Sequence, residues 1–230
     1  MKKNAILTLF AVLFAAICVN GQEIEEKEAR EGEQSIEVQA LMLANKNAQL
    51  GYENENPIYL MTAAQLMIDF PGGEVELESA EEPGIEEIEP KGTPEIDLDP
   101  LKLLEDAKLY AQGDSPTLEM IEDIKEQAKV AEPRGAVGGP YYLLRSVNRK
   151  STNEYIVGFR ANELAEVAIS GDGDTDLDLF VFDTNGNLIA SDNNYSDQCY
   201  VSWVPRFTGE YIIVVKNYGP VYNDFYLITN

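Results

Sequence analysis

Between Pro133 and Pro140 the chain places three glycines and two prolines, and on either side of that break its apolar residues repeat with a different period. Before the break they recur every three or four residues, as one face of a helix requires; after it they alternate, as a strand with one buried face requires. No single element serves both periods. The sequence therefore reads as an α+β protein in separate domains, with helical hairpins over 34–131, a linker over 132–140, and an antiparallel β-sandwich or jelly roll over 141–230.

Four helices are legible in the first region. Leu41, Ala44, Ala48 and Tyr52 form the stripe of one that starts near Ile36. Asn56-Pro57 gives an N-cap followed by proline at the first helical position, which opens a second helix carrying Leu60, Ala63, Ala64, Met67 and Phe70 and stopped by Pro71-Gly72-Gly73. Asp99-Pro100 repeats that signal, and the third helix presents Leu101, Leu104, Ala107 and Tyr110 or Ala111 before Gly113. Ser115-Pro116 opens a fourth carrying Leu118, Ile121, Ile124 and Ala128. Ala48, Leu50 and Pro57 recur as Ala107, Leu109 and Pro116. The two hairpins resemble tetratricopeptide-like units without their full consensus, and a plain four-helix bundle accounts for them equally well. Between them, residues 71–98 read as an acidic, disordered linker: 11 acids against the single base Lys91 fall in 74–99, with Pro83, Pro90 and Pro94 among them.

The second region offers short β-rich runs at Tyr155 to Phe159, Glu166 to Ile169, Leu177 to Phe182, Cys199 to Val204, Tyr211 to Val215 and Phe225 to Ile228. Asn185-Gly186 predicts a two-residue type I′ hairpin turn between Phe182 and Leu188, because both positions of that turn need positive φ.

The N-terminus reads as an export signal over 1–21, with Lys2 and Lys3 ahead of an apolar run from Ala5 to Val19 that is too short to span a bilayer. A mobile, charged leader follows over 22–33. Cys18 is the residue a lipoprotein reading would use, although Ile17 stands where such sites take a small residue. Without Cys18 the mature chain keeps Cys199 alone, so burial and not a disulfide must stabilise it. The acidity is uneven: residues 22–133 hold 29 acids and 8 bases (29 − 8, net −21), and residues 134–230 hold 12 and 7 (12 − 7, net −5). Such a surface repels nucleic acid and anionic membranes; cations and basic proteins remain as partners, or the charge serves solubility only.

The run Gly171-Asp172-Gly173-Asp174-Thr175-Asp176-Leu177-Asp178-Leu179-Phe180-Val181-Phe182-Asp183, followed by Asn185-Gly186-Asn187-Leu188, Ser191-Asp192, Thr208-Gly209-Glu210-Tyr211 and Tyr226-Leu227, resembles the bacterial pre-peptidase C-terminal domain. The resemblance covers about residues 150–230 and rests on an ordered series of turns and strands. It implies a compact β-sandwich appended to secreted proteins, often peptidases, that assists secretion, targeting or substrate attachment and is not itself catalytic. Here an acidic helical region stands where the peptidase would.

Asp172, Asp174, Asp176 and Asp178 put four carboxylates in seven residues at the mouth of a strand. Like charges so close are either solvated or neutralised, and calcium, a hard ion that takes several carboxylate oxygens, suits them. The spacing is not that of an EF-hand, since Leu177 stands where that loop takes glycine. The other reading is that Asp and Gly are simply good turn formers, which also serves for Asp192, Asn193, Asn194 and Asp197. The chain has no histidine, which removes Ser-His, Cys-His and most zinc chemistry. Cys199, in phase with Val201 and Trp203, reads as core. No acid in the sequence stands in an apolar context that would raise its pKa for proton donation.

These features lead to an exported, secreted or periplasmic, non-catalytic binding protein. Its β-module attaches to a polymer, peptide or protein partner, that is, an extracellular or periplasmic protein or polysaccharide, with calcium as the cofactor. The alternative is a scaffold or assembly component that acts through its helical hairpins; an enzyme using carboxylate chemistry is the third class.

Overall fold

The computed structural model describes residues 34–74, 77, 79–81, 96–130 and 140–230. The export signal, the leader, most of 132–140 and the stretch 82–95 lie outside the described residues.

Helix α1 spans Ile36–Glu53, α2 Pro57–Asp69, α3 Pro100–Tyr110 and α4 Ser115–Val130. Each start has a side-chain cap that satisfies an otherwise orphaned amide. Ser35 Oγ accepts from Val38 N, Asn56 Oδ1 from Ile58 N, and Asp99 Oδ1 from Lys102 N. Asp114, not Ser115, caps α4, taking both the Thr117 amide and its hydroxyl. α2 packs against α1 and α3 around Leu41, Ala44, Ala48, Leu60, Ala64, Leu104 and Ile121. Gly51 permits this closeness, for a Cβ there would lie 2.4 Å from a Leu60 methyl. On α3 the stripe differs from the expected one: Leu103 is buried and Leu101 exposed.

Two sheets face each other in the second region. In the first, order β1-β3-β10-β5-β8, the strands are β1 Gly73–Glu74, β3 Tyr141–Val147, β5 Ala165–Gly171, β8 Gln198–Trp203 and β10 Asn223–Thr229. In the second, order β2-β4-β9-β6-β7, they are β2 Ser79–Glu81, β4 Thr152–Phe159, β6 Leu177–Asp183, β7 Leu188–Asp192 and β9 Gly209–Asn217. Alternation decides the inner faces. Val167, Ile169, Cys199, Val201, Trp203, Phe225 and Leu227 from one sheet meet Tyr155, Leu177, Leu179, Val181, Tyr211, Ile213 and Val215 from the other. Phe159 and Trp203 close one part of this core edge to face, 4.8 Å apart.

Two expectations need correction. The acidic linker is ordered at both described ends: β1 runs parallel to β3, β2 pairs antiparallel with β4, and Leu77 between them packs against the sandwich core. Past the other end, Leu98 is buried and its amide donates to Tyr226 Oη. Charge density forecast self-repulsion, but edge strands β3 and β4 present unpaired backbone groups that extended chain satisfies whatever its side chains. The α+β order is as expected, with the four helices ahead of strands β3 to β10, and the two regions pack together: Ala168, Tyr226 and Ile228 on the outer face of the first sheet belong to the helical core. Finally, the β6–β7 connection runs over Thr184-Asn185-Gly186-Asn187, and Asp183 N donates to Asn187 O to close it. Gly186 N donates to Asp183 O, and Gly186, at φ +83°, has positive φ while Asn185 does not, so the turn is not type I′.

Candidate binding site at the loop end of the sandwich

Four connections meet at one end of the sandwich: β3–β4, β5–β6, β7–β8 and β9–β10. Two buried asparagines hold them. Asn217 Nδ2 donates to Val147 O and Val221 O, and its amide to Ser151 O, joining β9–β10 to β3–β4. Asn223 Nδ2 donates to Thr175 O and Oγ1, while its Oδ1 accepts from Asp172 N, joining β10 to β5–β6. The β7–β8 loop is tied in by Asp197, whose backbone oxygen accepts from Gly171 N and whose Oδ2 accepts from Gly173 N. A Cβ on Gly171 would fall 2.5 Å from Asp197 Oδ2 and 2.7 Å from Asn223 Oδ1, so glycine there is a condition of this closeness.

The four aspartates of the sequence motif have distinct surroundings. Asp172 is committed to the fold: Oδ1 accepts from Asp174 N, closing the local turn, and Oδ2 accepts from Asp224 N. Asp174 is exposed. Asp176 is half-buried, and its Oδ1 is a buried oxygen without a hydrogen-bond partner. Asp178 is only 8 % exposed, opposite Lys216 on β9. Burial foremost, then the Asp176 charge, push the Asp178 carboxyl up to about 6; Lys216 opposes the shift and Asp192 adds to it. An acid with a raised pKa is therefore present, contrary to the sequence reading. That reading counted apolar neighbours along the chain, whereas the burial comes from adjacent strands. Among the described residues, no group of three or more His, Cys, Asp or Glu side chains is placed to hold a metal ion.

The second cluster is tied into the fold. Asp192 Oδ2 accepts from Tyr200 N on the margin strand β8, and its Oδ1 from Asn194 Nδ2. Cys199 is buried as expected, donates to Leu177 O at 3.0 Å, and has its thiol pushed far up, by burial first and then by Asp192 and Asp178.

Tyr155, Tyr211 and Tyr226 are buried. Two tyrosines on the loops at this end are exposed. Tyr195 stands fully exposed at the tip of β7–β8, and Tyr218 is 53 % exposed on β9–β10 with Lys216 Nζ 4.4 Å from its ring centroid. Val221 is exposed on the same connection. The sequence reading did not separate these rings from the buried ones; the signal it missed is their position in Asn- and Asp-rich turns.

No protein-family model and no curated protein sequence matches the chain. Among solved structures it is similar to a periplasmic inhibitor of g-type lysozyme from Aeromonas hydrophila, at 19 % identity and a TM-score of 0.32, over 40 % of this chain and 84 % of that one. Among the described residues no helix is long and apolar enough to cross a membrane.

Proposed function

We propose that this chain is an exported, non-catalytic binding protein that attaches to a protein or polysaccharide partner through the loop end of its sandwich, in the manner of a pre-peptidase C-terminal-type module. One observation carries the reading: loops cross-tied by Asn217, Asn223, Asp172 and Asp197 hold Tyr195, Tyr218 and Val221 toward solvent. Rigid aromatic contacts on pre-ordered loops bind at low entropic cost, and flanking carboxylates supply acceptors for sugar hydroxyls or basic side chains. The lack of histidine favours binding over nucleophilic catalysis, and the acid with the raised pKa, Asp178, is buried.

Calcium is a second part of the proposal. Asp176 and Asp178 would hold it, since an orphaned carboxylate oxygen beside a desolvated carboxyl is relieved by a hard cation. The scaffold reading keeps a narrower basis, the exposed Ile36 and Leu43 on α1 and Leu109 and Met120 on α3 and α4, because the buried stripes of the helices are used within the chain.

The test is retention of the full mature chain on a panel of insoluble polysaccharides and immobilised exported proteins, against a Tyr195→Ala/Tyr218→Ala variant. At least a tenfold loss is expected with the melting temperature unchanged. Retention that survives both substitutions overturns the reading.

A further inference from the structure

We infer that Asn45 and Gln49 of α1 are positioning residues for the loop end, acting through a buried chain of hydrogen bonds that crosses from the helical layer to both acidic loops. The inference deepens the binding reading and rests on it for its purpose, although its physical content needs no ligand.

Asn45 and Gln49 lie four residues apart, hence on one helix face, and both are almost fully buried against the end of β5. Asn45 Nδ2 donates to Ser170 O at 3.0 Å and to Ser170 Oγ at 2.9 Å. Ser170 Oγ in turn donates to Gln198 Oε1 at 2.8 Å. Gln198 Nε2 then donates to Gly171 O and to Asp197 Oδ1. The other Asp197 oxygen receives Gly173 N, the amide at the apex of β5–β6. Gln49 enters the same network, donating to Gly171 O at 2.5 Å, and Lys46 Nζ fixes its amide by donating to Oε1 at 3.2 Å. Every link from α1 to Asp197 donates outward, and at Asp197 the direction reverses, because its carboxylate accepts from Gln198 Nε2 on one side and from Gly173 N on the other.

Apolar side chains would cover β5 at less cost, because a buried amide is tolerated only when it is paired. A paired amide, however, specifies a position that a methyl group does not. Here the specified positions are Ser170, Gly171 and Asp197, the points from which both loops spring.

The experiment is hydrogen exchange by mass spectrometry on the full mature chain and on Asn45→Ala, Gln49→Ala and Gln198→Ala, without ligand. Exchange at 171–175 and 193–198 is expected to quicken about tenfold in each, the size of one lost buried hydrogen bond, while the Asp183–Asn187 turn at the opposite end keeps its rate. The double variant Asn45→Ala/Gln198→Ala should be no faster than either single, since one break already severs the chain. Equal quickening at both ends, additive effects, or no change at the loops overturns the inference. Should Asn45→Ala fail to fold, Gln198→Ala, half-buried at the outer end, reads the same links. If Tyr195 and Tyr218 prove dispensable for retention while exchange responds as stated, the binding reading falls and the positioning chain stands; the reverse outcome removes only the latter.

Discussion

The outer faces of the two sheets start from the same alternation and end differently. In the first sheet the outward residues Ala168, Tyr226 and Ile228 join the helical core, with Tyr142 edge to face against Tyr226 at 5.9 Å. In the second, outward Phe182, Ile212 and Val214 gather only with Phe180 and Leu188 from their own sheet, and Asp178 and Lys216 share that face. β5 is buried along its whole length as a result, the pattern of a strand covered on both sides. An antiparallel sheet thus takes a second layer where its outward residues are small or can be paired, and does without one where it keeps charge.

The sharpest way to break this comparison is to make the same substitution on both faces. Ile228→Ala should cost about 4 kcal/mol and Ile212→Ala about 2 kcal/mol in urea unfolding, because only the first leaves a hole between two layers. Equal costs would mean that the helices lean on the sheet without packing into it. Next comes Glu166, buried to 1 % on the covered face, where its carboxylate receives Ser35 N and Tyr200 Oη at 2.8 Å and Asn230 Nδ2 at 3.2 Å. Glu166→Ala removes the acceptor from Ser35 N and Tyr200 Oη, while Asn230 Nδ2 keeps Leu164 O, and is expected to cost about 2 kcal/mol; a neutral effect would show that the helical layer needs no polar anchor.

On the second sheet two aspartates have opposite signs. For Asp183, burial raises the pKa, but hydrogen bonds from Asn187 and Asn185 outweigh it and hold the carboxyl below its ordinary range. Its contribution is present above the unfolded pKa and lost as pH falls through the lowered one. Asp183→Ala should therefore cost about 1.5 kcal/mol at pH 7, with the gap to wild type closing below about pH 4. Asp178, raised to about 6, works the other way: the folded state holds its proton more tightly, so stability falls as pH rises from about 4 to 6. Asp178→Asn is expected to gain about 1 kcal/mol at pH 7 after solvent screening, and nothing near pH 4. Excess calcium supplies the finest distinction, since a bound ion would turn that gain into a loss.

The helix starts and most strands were readable because they depend on neighbours in sequence: Asn56-Pro57, Asp99-Pro100 and the alternation through Leu177, Leu179 and Val181. The Asn185-Gly186 hairpin was readable, but its turn type was not, because Asp183 takes the Asn185 and Asn187 amides and so favours the longer loop. β1 and β2 could not be found, as their pairing partners lie far along the chain and their composition argues against strand. The carboxylate cluster was visible as a run; that Asp172 would be used by Asp224 N, and Asp178 buried opposite Lys216, is tertiary information.

The place of Leu77 bears on how the molecule is made. The stretch from Gly73 to Glu81 leaves the ribosome before α3 and α4, yet the strands it must lie beside, β3 and β4, are synthesised only after them. The margin of the sandwich therefore waits for a late partner, and assembly becomes an event of the finished polypeptide that a growing one cannot complete. Cutting the chain at the glycine-rich break between 133 and 140 would give halves that each lack something the other carries.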